Sequence, residues 1–207
     1  MAAHRNDAIK RAVDVVVAAT GLVVTAPLQL VVAGLVARKL GRPVFFVQPR
    51  PGKDAVVFDL VKFRTMLPVD EARGLVTDED RMTRFGALLR STSLDELPTL
   101  WNVLRGDMSL VGPRPLLVRY LDRYSPRQAR RHDVRPGMTG LAQVSGRNAI
   151  SWEDKLELDV RYVETRSFLG DLLILVSTAL KVVRREGVTA EGSVTTAEFL
   201  GSERSAT

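Results

Sequence analysis

The sequence predicts a mixed α/β, helix-rich protein of the monotopic membrane class. An N-terminal re-entrant helix–break–helix is followed by a compact domain that carries interfacial amphipathic helices. Three observations lead there. Residues 15–37, VVVAATGLVVTAPLQLVVAGLVA, contain no charged side chain. Lys and Arg stand on both sides of that run, and Pro27 lies near its middle. Beyond Gly41, short β-prone runs alternate with helical periodicities and turn-rich stretches.

A helix crosses the hydrocarbon core with about 20 residues, so the first segment is long enough to span. A secretory signal peptide has a shorter apolar region and a small-residue cleavage site, whereas this run ends in Arg38-Lys39. A buried core helix is the other alternative, with Thr25 and Gln29 interrupting an otherwise apolar surface. The flanks argue for membrane. Arg5, Lys10 and Arg11 precede the run, and Arg38, Lys39 and Arg42 follow it. Basic residues hold a flank on the cytoplasmic side, so equal flanks ask both ends to stay there. Pro27 removes a backbone donor and clashes with the carbonyl four residues earlier, which places the break at Ala26-Pro27. An ordinary kinked single-pass helix stays open at this point.

The remaining elements follow in order. Val44–Val47 and Val56–Leu60 read as strands joined by the turn-rich Gln48–Asp54. Residues 69–81 are polar, a surface loop or exposed helix. Leu97–Leu104 reads as a short helix and Asp107–Pro115 as a loop. Residues 151–166 place Trp152, Leu156, Val160 and Val163 at helical spacing. Leu169–Val183 is apolar but too short to span, with Lys181, Arg184 and Arg185 near its end. An interfacial amphipathic helix and an ordinary core helix fit it equally. The tail from Gly187 is rich in small polar residues and is expected to be loosely held. The organisation is therefore residues 1–40 in the membrane, 41–186 as the compact domain, and 187–207 as a tail.

Composition narrows the chemistry. The 207 residues suffice for one domain with a real core. Cysteine is absent, which excludes a disulfide scaffold, a thiolate zinc site and a cysteine nucleophile. His4 and His132 are the only histidines, too few for a histidine metal site. Thirty Lys and Arg against 24 Asp and Glu give a net charge of +6, which suits a polyanionic partner such as nucleic acid, anionic lipid or a phosphorylated small molecule. Aromatic residues at 6% are sparse for stacking on single strands, so a nucleic-acid partner is not expected.

The densest run of chemically capable residues is 90–115, where Asp95 and Glu96 are adjacent carboxylates. One ordinary role is a capping box formed by Ser93 and Glu96, but Pro98 would then fall where its missing N–H is needed. Another is Asp95 as N-cap, which puts Pro98 at a harmless third position. The chemical alternative is a carboxylate at the positive end of a helix, beside a bound phosphate, able to attack phosphorus and form an acyl phosphate. Phosphate charge then needs cations. Arg90, Arg105 and Arg114 stand nearby, with Lys62, Arg64, Arg135 and Arg147 in other loops. Arg114 lies between two prolines, a fixed backbone unsuited to a casual surface charge.

In these residues the chain resembles the bacterial monotopic phosphoglycosyl transferases, also called bacterial sugar transferases, especially the small members that start protein glycosylation. The matching pieces run through nearly the whole sequence: Lys10-Arg11-x-x-Asp14, Gln48-x-Arg50-x-Gly52, Lys62-Phe-Arg-Thr-Met66, Arg90 to Glu96, Asn102 to Ser109, Gly112-Pro-Arg-Pro115, Arg135-Pro-Gly-x-Thr-Gly140, Gln143, Gly146-Arg147, and Gly187 to Phe199. The resemblance implies an enzyme on the cytoplasmic face of the bacterial inner membrane that moves a phosphosugar from a UDP-sugar to undecaprenyl phosphate and releases UMP. It implies ping-pong transfer through Asp95 as nucleophile, with Glu96 as dyad partner. It also implies Mg²⁺ shared between Asp95 and the diphosphate. Lys62, Arg90, Arg114 and Arg147 would bind phosphate, with Gln143 in the same site. The tail resembles members that use acetamido sugars such as diacetylbacillosamine or another N-acetylhexosamine; glucose or galactose is the alternative donor. A phospholipid membrane, a second copy of the chain and downstream glycosyltransferases are the implied partners. Relatives often carry Ser-Pro at the membrane break, where this chain has Ala26-Pro27. The competing class is a non-catalytic membrane-anchored protein that holds anionic lipid.

The absence of cysteine gives the topology a direct test. Single cysteines at Ala3 and Gly41 should both escape an impermeant thiol reagent in intact cells and both react once the membrane is opened. Labelling of Ala3→Cys alone in intact cells would establish a spanning helix instead.

Overall fold

The computed structural model describes residues 2–146, 150–184 and 198–201. Its first element is α1 (Ala2–Lys39), helical throughout, with Ala26 and Pro27 inside it. The expected break is therefore not a loop. Pro27 deprives the Val23 carbonyl of its regular donor, but the rest of the ladder is kept, as an apolar setting demands. The polar side chains on this stretch are satisfied within the helix. Thr25 Oγ1 donates to the Gly21 carbonyl at 2.6 Å, and Gln29 Nε2 donates to Thr25 Oγ1 at 2.9 Å. Thr25 thus serves Gly21 rather than Val23.

Both halves of α1 pack on the same body. In the first half, Lys10 Nζ meets Asp171 Oδ2 at 2.5 Å, and Asp14 Oδ1 accepts from the Leu110 N–H at 3.1 Å. Arg11 donates to the Val103 and Leu104 carbonyls at 2.6 and 2.8 Å, adding side-chain donors to the carbonyl end of a helix. Ala18 is fully buried in the main core with Leu100, Val103 and Met108. In the second half, Val32, Val36 and Leu40 are buried against Phe63 and Leu89. Between them Val23, Val24, Leu30 and Val31 are exposed. Lys10 and Arg11, read in the sequence as a basic flank and as part of a matching motif without a role, are docking residues.

Strands β1 (Phe45–Pro51) and β2 (Val57–Phe63) pair antiparallel, with Phe45 opposite Phe63 and Pro51 opposite Val57. The expected turn at Gln48–Asp54 is shorter than read, because β1 has a free edge where Pro49 and Pro51 cost no ladder bond. The other edge of β2 is covered by helix. Thr99 Oγ1 donates to the Val61 carbonyl at 2.9 Å, Asn102 Oδ1 accepts from the Val61 N–H at 3.1 Å, and Asn102 Nδ2 donates to the Asp59 carbonyl at 2.7 Å. Thr99 ends a tight helical turn, Leu94–Thr99, that runs straight into α4 (Leu100–Arg105). Before it come α2 (Asp78–Arg81) and α3 (Arg84–Ser91). A Cβ on Gly86 would lie 1.8 Å from the Thr65 carbonyl oxygen, so only glycine lets α3 approach the exit of β2.

The stretch Asp107–Pro115, expected as a loop, contains β3 (Ser109–Val111), which pairs parallel with β4 (Gly137–Thr139). Three-residue strands are too short to show alternation. The crossing is tight: a Cβ on Gly137 would stand 2.1 Å from the Gly112 nitrogen. Between β3 and β4 lies α5 (Pro126–Ala129), and after β4 come α6 (Leu141–Ser145), α7 (Trp152–Thr165) and α8 (Phe168–Arg184). The periodic helix read at 151–166 is α7. In α8, Asp171 and Ile174 face the core while Leu169, Leu172, Leu173, Val176 and Leu180 are exposed, so it is a core helix on one side and an apolar surface on the other. The expectation of a loose tail is corrected where the chain is described again. Phe199 is fully buried among Tyr120, Tyr124 and Trp152, and Arg123 donates to its carbonyl. Residues 187–197 lie outside the described residues.

Candidate active site

Ser93 adopts φ +56°, a left-handed conformation that reverses the chain after α3 and starts the turn carrying Asp95 and Glu96. Neither capping role offered by the sequence is realised. Ser93 makes no side-chain cap bond, and Asp95 lies inside the first turn. The carboxylates are left for the site. Thr99 and Asn102 fix this turn against β2, and side chains alternate along a strand. With both polar groups of Val61 engaged by the helix, Lys62 is the neighbour that reaches the dyad.

The two carboxylates have opposite environments. Glu96 Oε1 receives Lys62 Nζ at 2.5 Å and Arg114 Nη2 at 3.2 Å. Burial alone would raise Glu96; the two cations overcome it and hold Glu96 at about 2. Asp95 is buried, only 8% exposed. Burial, then the Glu96 charge, push it up to about 6, although Lys62, Arg90 and Arg114 pull the other way. Burial lowers Lys62 and Arg90, and the neighbouring carboxylates restrain that fall. Arg90 is steadied by a 3.1 Å bond from Nε to Thr65 Oγ1, on the chain leaving β2.

Four of the sequence-predicted residues, Lys62, Arg90, Asp95 and Glu96, thus converge from β2, α3 and the turn, and Arg114 completes the group from the loop after β3. Gln143 sits in α6, where Nε2 donates to the Met138 carbonyl at 3.2 Å and Oε1 is buried without a partner among the described residues. No hydrogen bond links it to the dyad among those residues. Arg147 lies outside the described residues. Among the described residues Arg105 pairs with Asp107, at 3.7 Å, on a mostly exposed side chain. A residue beside the site to which the sequence reading gave no role is Arg50. It donates to the Pro115 carbonyl at 3.2 Å and to Gln48 Oε1 at 2.5 Å, and burial, then Arg114, bring it down to about 10. The signal was the Gln48-x-Arg50-x-Gly52 motif, noticed as a match but given no role.

The donor set can be tested against Mg²⁺. Among the described residues no group of three or more Asp, Glu or His side chains comes together. Mg²⁺ needs only one or two carboxylates when substrate phosphates complete its shell, and Asp95, not engaged as Glu96 is, fits that manner of binding.

A buried acid beside a permanently ionised neighbour, under Lys62, Arg90 and Arg114, is suited to attack on a charged phosphorus centre. Residues 5–185 match the bacterial sugar transferase family, and the chain belongs to it; it is a phosphoglycosyl transferase. It is 51% identical over 195 residues to the uncharacterized sugar transferase EpsL of Bacillus subtilis, covering 94% of this chain and 96% of that one. It is 38% identical to the UDP-galactose-lipid carrier transferase of Erwinia amylovora, over 90% of this chain but 43% of that protein. It is 40% identical to the UDP-glucose:undecaprenyl-phosphate glucose-1-phosphate transferase of Caulobacter vibrioides, over 83% of this chain and 68% of that one.

The raised Asp95 carries a linkage prediction. Below its unfolded pKa near 3.8 the acid is neutral folded and unfolded, so it has no effect; above about 6 the folded protein bears the full cost of the buried charge. Asp95→Asn should therefore unfold at nearly the same temperature as wild type at pH 3 and be more stable at pH 7.5, by about 2–3 kcal/mol. A loss of stability at pH 7.5, or a gain independent of pH, would contradict this environment.

Proposed function

We propose that this enzyme transfers hexose 1-phosphate from a UDP-hexose, glucose or galactose, to undecaprenyl phosphate and releases UMP. The observation that carries the reaction is the divided dyad: Glu96 locked by Lys62 and Arg114, Asp95 buried and raised. In the first half-reaction an Asp95 oxygen bonds to the sugar-bearing phosphorus, and the bond from that phosphorus to the bridging oxygen breaks. UMP leaves with that oxygen. In the second, an oxygen of the lipid phosphate bonds to the same phosphorus, the Asp95–phosphorus bond breaks, and the carboxylate is restored. One nucleophile serving two phosphorylated substrates in turn gives ping-pong kinetics.

Each residue's role follows from its surroundings. Arg90 and Arg114 neutralise phosphate oxygens as negative charge shifts. Glu96, held near 2, is a poor base; it orients Lys62 and Arg114 rather than taking a proton. The raised pKa of Asp95 makes it a stronger nucleophile than an ordinary surface carboxylate. Mg²⁺ held by Asp95 and the diphosphate would supply further charge neutralisation.

The donor reading departs from the acetamido lean of the tail, residues 187–199. The relatives whose names state a sugar carry galactose or glucose, which supports the hexose alternative. The membrane reading is that α1 and the exposed apolar side of α8 enter one leaflet from the cytoplasmic face. Packing of both halves of α1 on one body supports this, because a helix crossing to the far side would leave that body at one end.

A panel of UDP-sugars tests the donor. UDP-glucose or UDP-galactose with undecaprenyl phosphate should release UMP at least about tenfold faster than UDP-N-acetylglucosamine or UDP-diacetylbacillosamine, a difference within reach of one well-placed contact. Preference for an acetamido donor would overturn the sugar assignment. Steady UMP release without the lipid phosphate would overturn the transfer itself.

A further inference from the structure

We propose that the buried Arg131–Asp159 ion pair positions Arg114 in the phosphate site, which makes Arg131 a positioning residue for the transfer. The inference rests on the phosphate-binding role given to Arg114 above. Arg131 and Asp159 side chains are 1% and 6% exposed, and Arg131 reaches Asp159 Oδ2 from Nη2 at 2.7 Å and from Nε at 3.1 Å. The same Nη2 donates to the Arg114 carbonyl at 2.6 Å, and Nη1 donates to the Tyr124 hydroxyl at 3.3 Å. The guanidinium therefore joins α7, which carries Asp159, to the backbone of the residue that contacts Glu96.

The loop around Arg114 explains why such a partner is needed. Pro113 and Pro115 have no N–H, so the backbone there is fixed almost entirely through its carbonyls. Gly112 N–H donates to the Thr139 carbonyl at 2.9 Å, which anchors the entry. Gly137 N–H then donates to the Pro113 carbonyl at 2.9 Å, Arg131 to that of Arg114, and Arg50 to that of Pro115 at 3.2 Å. Four consecutive residues are held by three different segments: β4 twice, then Arg131, then Arg50 of β1. The Arg114 side chain is about half exposed, so packing does little to confine it, and its reach to Glu96 is set from the backbone. A buried ion pair contributes little stability relative to apolar residues of similar volume. A pair placed here has a different use, since one of its donors faces Arg114.

The test separates positioning from folding. Arg131→Met with Asp159→Leu replaces the pair by apolar side chains, and Arg114→Ala is made in both backgrounds. Affinity for UDP is measured by calorimetry, alongside thermal unfolding and UMP release from the preferred UDP-sugar. The double variant should unfold within a few degrees of wild type yet bind UDP about tenfold more weakly, and Arg114→Ala should cost much less affinity in it than in wild type. Arg131→Lys keeps the charge but lacks the second arm, so it should retain the fold and lose several-fold in affinity. Wild-type affinity in the double variant, or an equal cost of Arg114→Ala in both backgrounds, would overturn the proposal. Should the double variant fail to fold, Arg131→Lys combined with Arg114→Ala decides by the same criterion. Failure of the phosphosugar reading looks different: wild type and all variants would bind UDP as proposed while none released UMP.

Discussion

The site depends on one ion pair. Lys62 Nζ lies 2.5 Å from Glu96 Oε1, and with Arg114 it keeps Glu96 ionised under all ordinary conditions. Two adjacent buried carboxylates cannot both be accommodated cheaply as anions; the first one stabilised makes the second harder to ionise. By drawing the closest cation contacts to Glu96, the fold leaves Asp95 with the raised pKa. On the proposed mechanism, the separation of two neighbouring acids by environment makes one the nucleophile and the other its support.

That ion pair is possible because of less conspicuous residues. Thr99 and Asn102 bond the backbone of β2, so the turn carrying the dyad lies against Lys62 in a single register. Gly86 lets α3 close on Thr65, which in turn receives Arg90. Arg11 finishes the carbonyl end of α4 from α1, tying the membrane helix to the element that continues directly from the dyad turn. The long apolar helix and the carboxylate pair thus share one scaffold.

The sequence made some of this legible and left some hidden, for identifiable reasons. The apolar run and the α7 periodicity were readable because both patterns extend over many residues. The dyad and its cations were readable because a carboxylate pair and Pro-framed arginines are rare combinations, although their distances were not. The three-residue strands β3 and β4 fell below any period. The turn between β1 and β2 was overestimated because prolines signal turns unless an edge strand hosts them. Lys10 and Arg11 looked like topology signals because charge is visible in sequence and docking is not. Thr99, Arg131 and Asp159 gave no signal, and Asn102 gave one only as the first residue of a matching motif, since each acts on a group far along the chain.

The account's central claim is that Asp95, not Glu96, carries the phosphosugar. The most direct measurement is mass spectrometry of wild-type protein incubated with its UDP-sugar in the absence of lipid phosphate, followed by peptide mapping. A stoichiometric adduct of one phosphosugar on Asp95, absent in Asp95→Asn and discharged by undecaprenyl phosphate, is the predicted result. An adduct on Glu96, or full turnover by an Asp95→Asn protein of verified sequence, would contradict it.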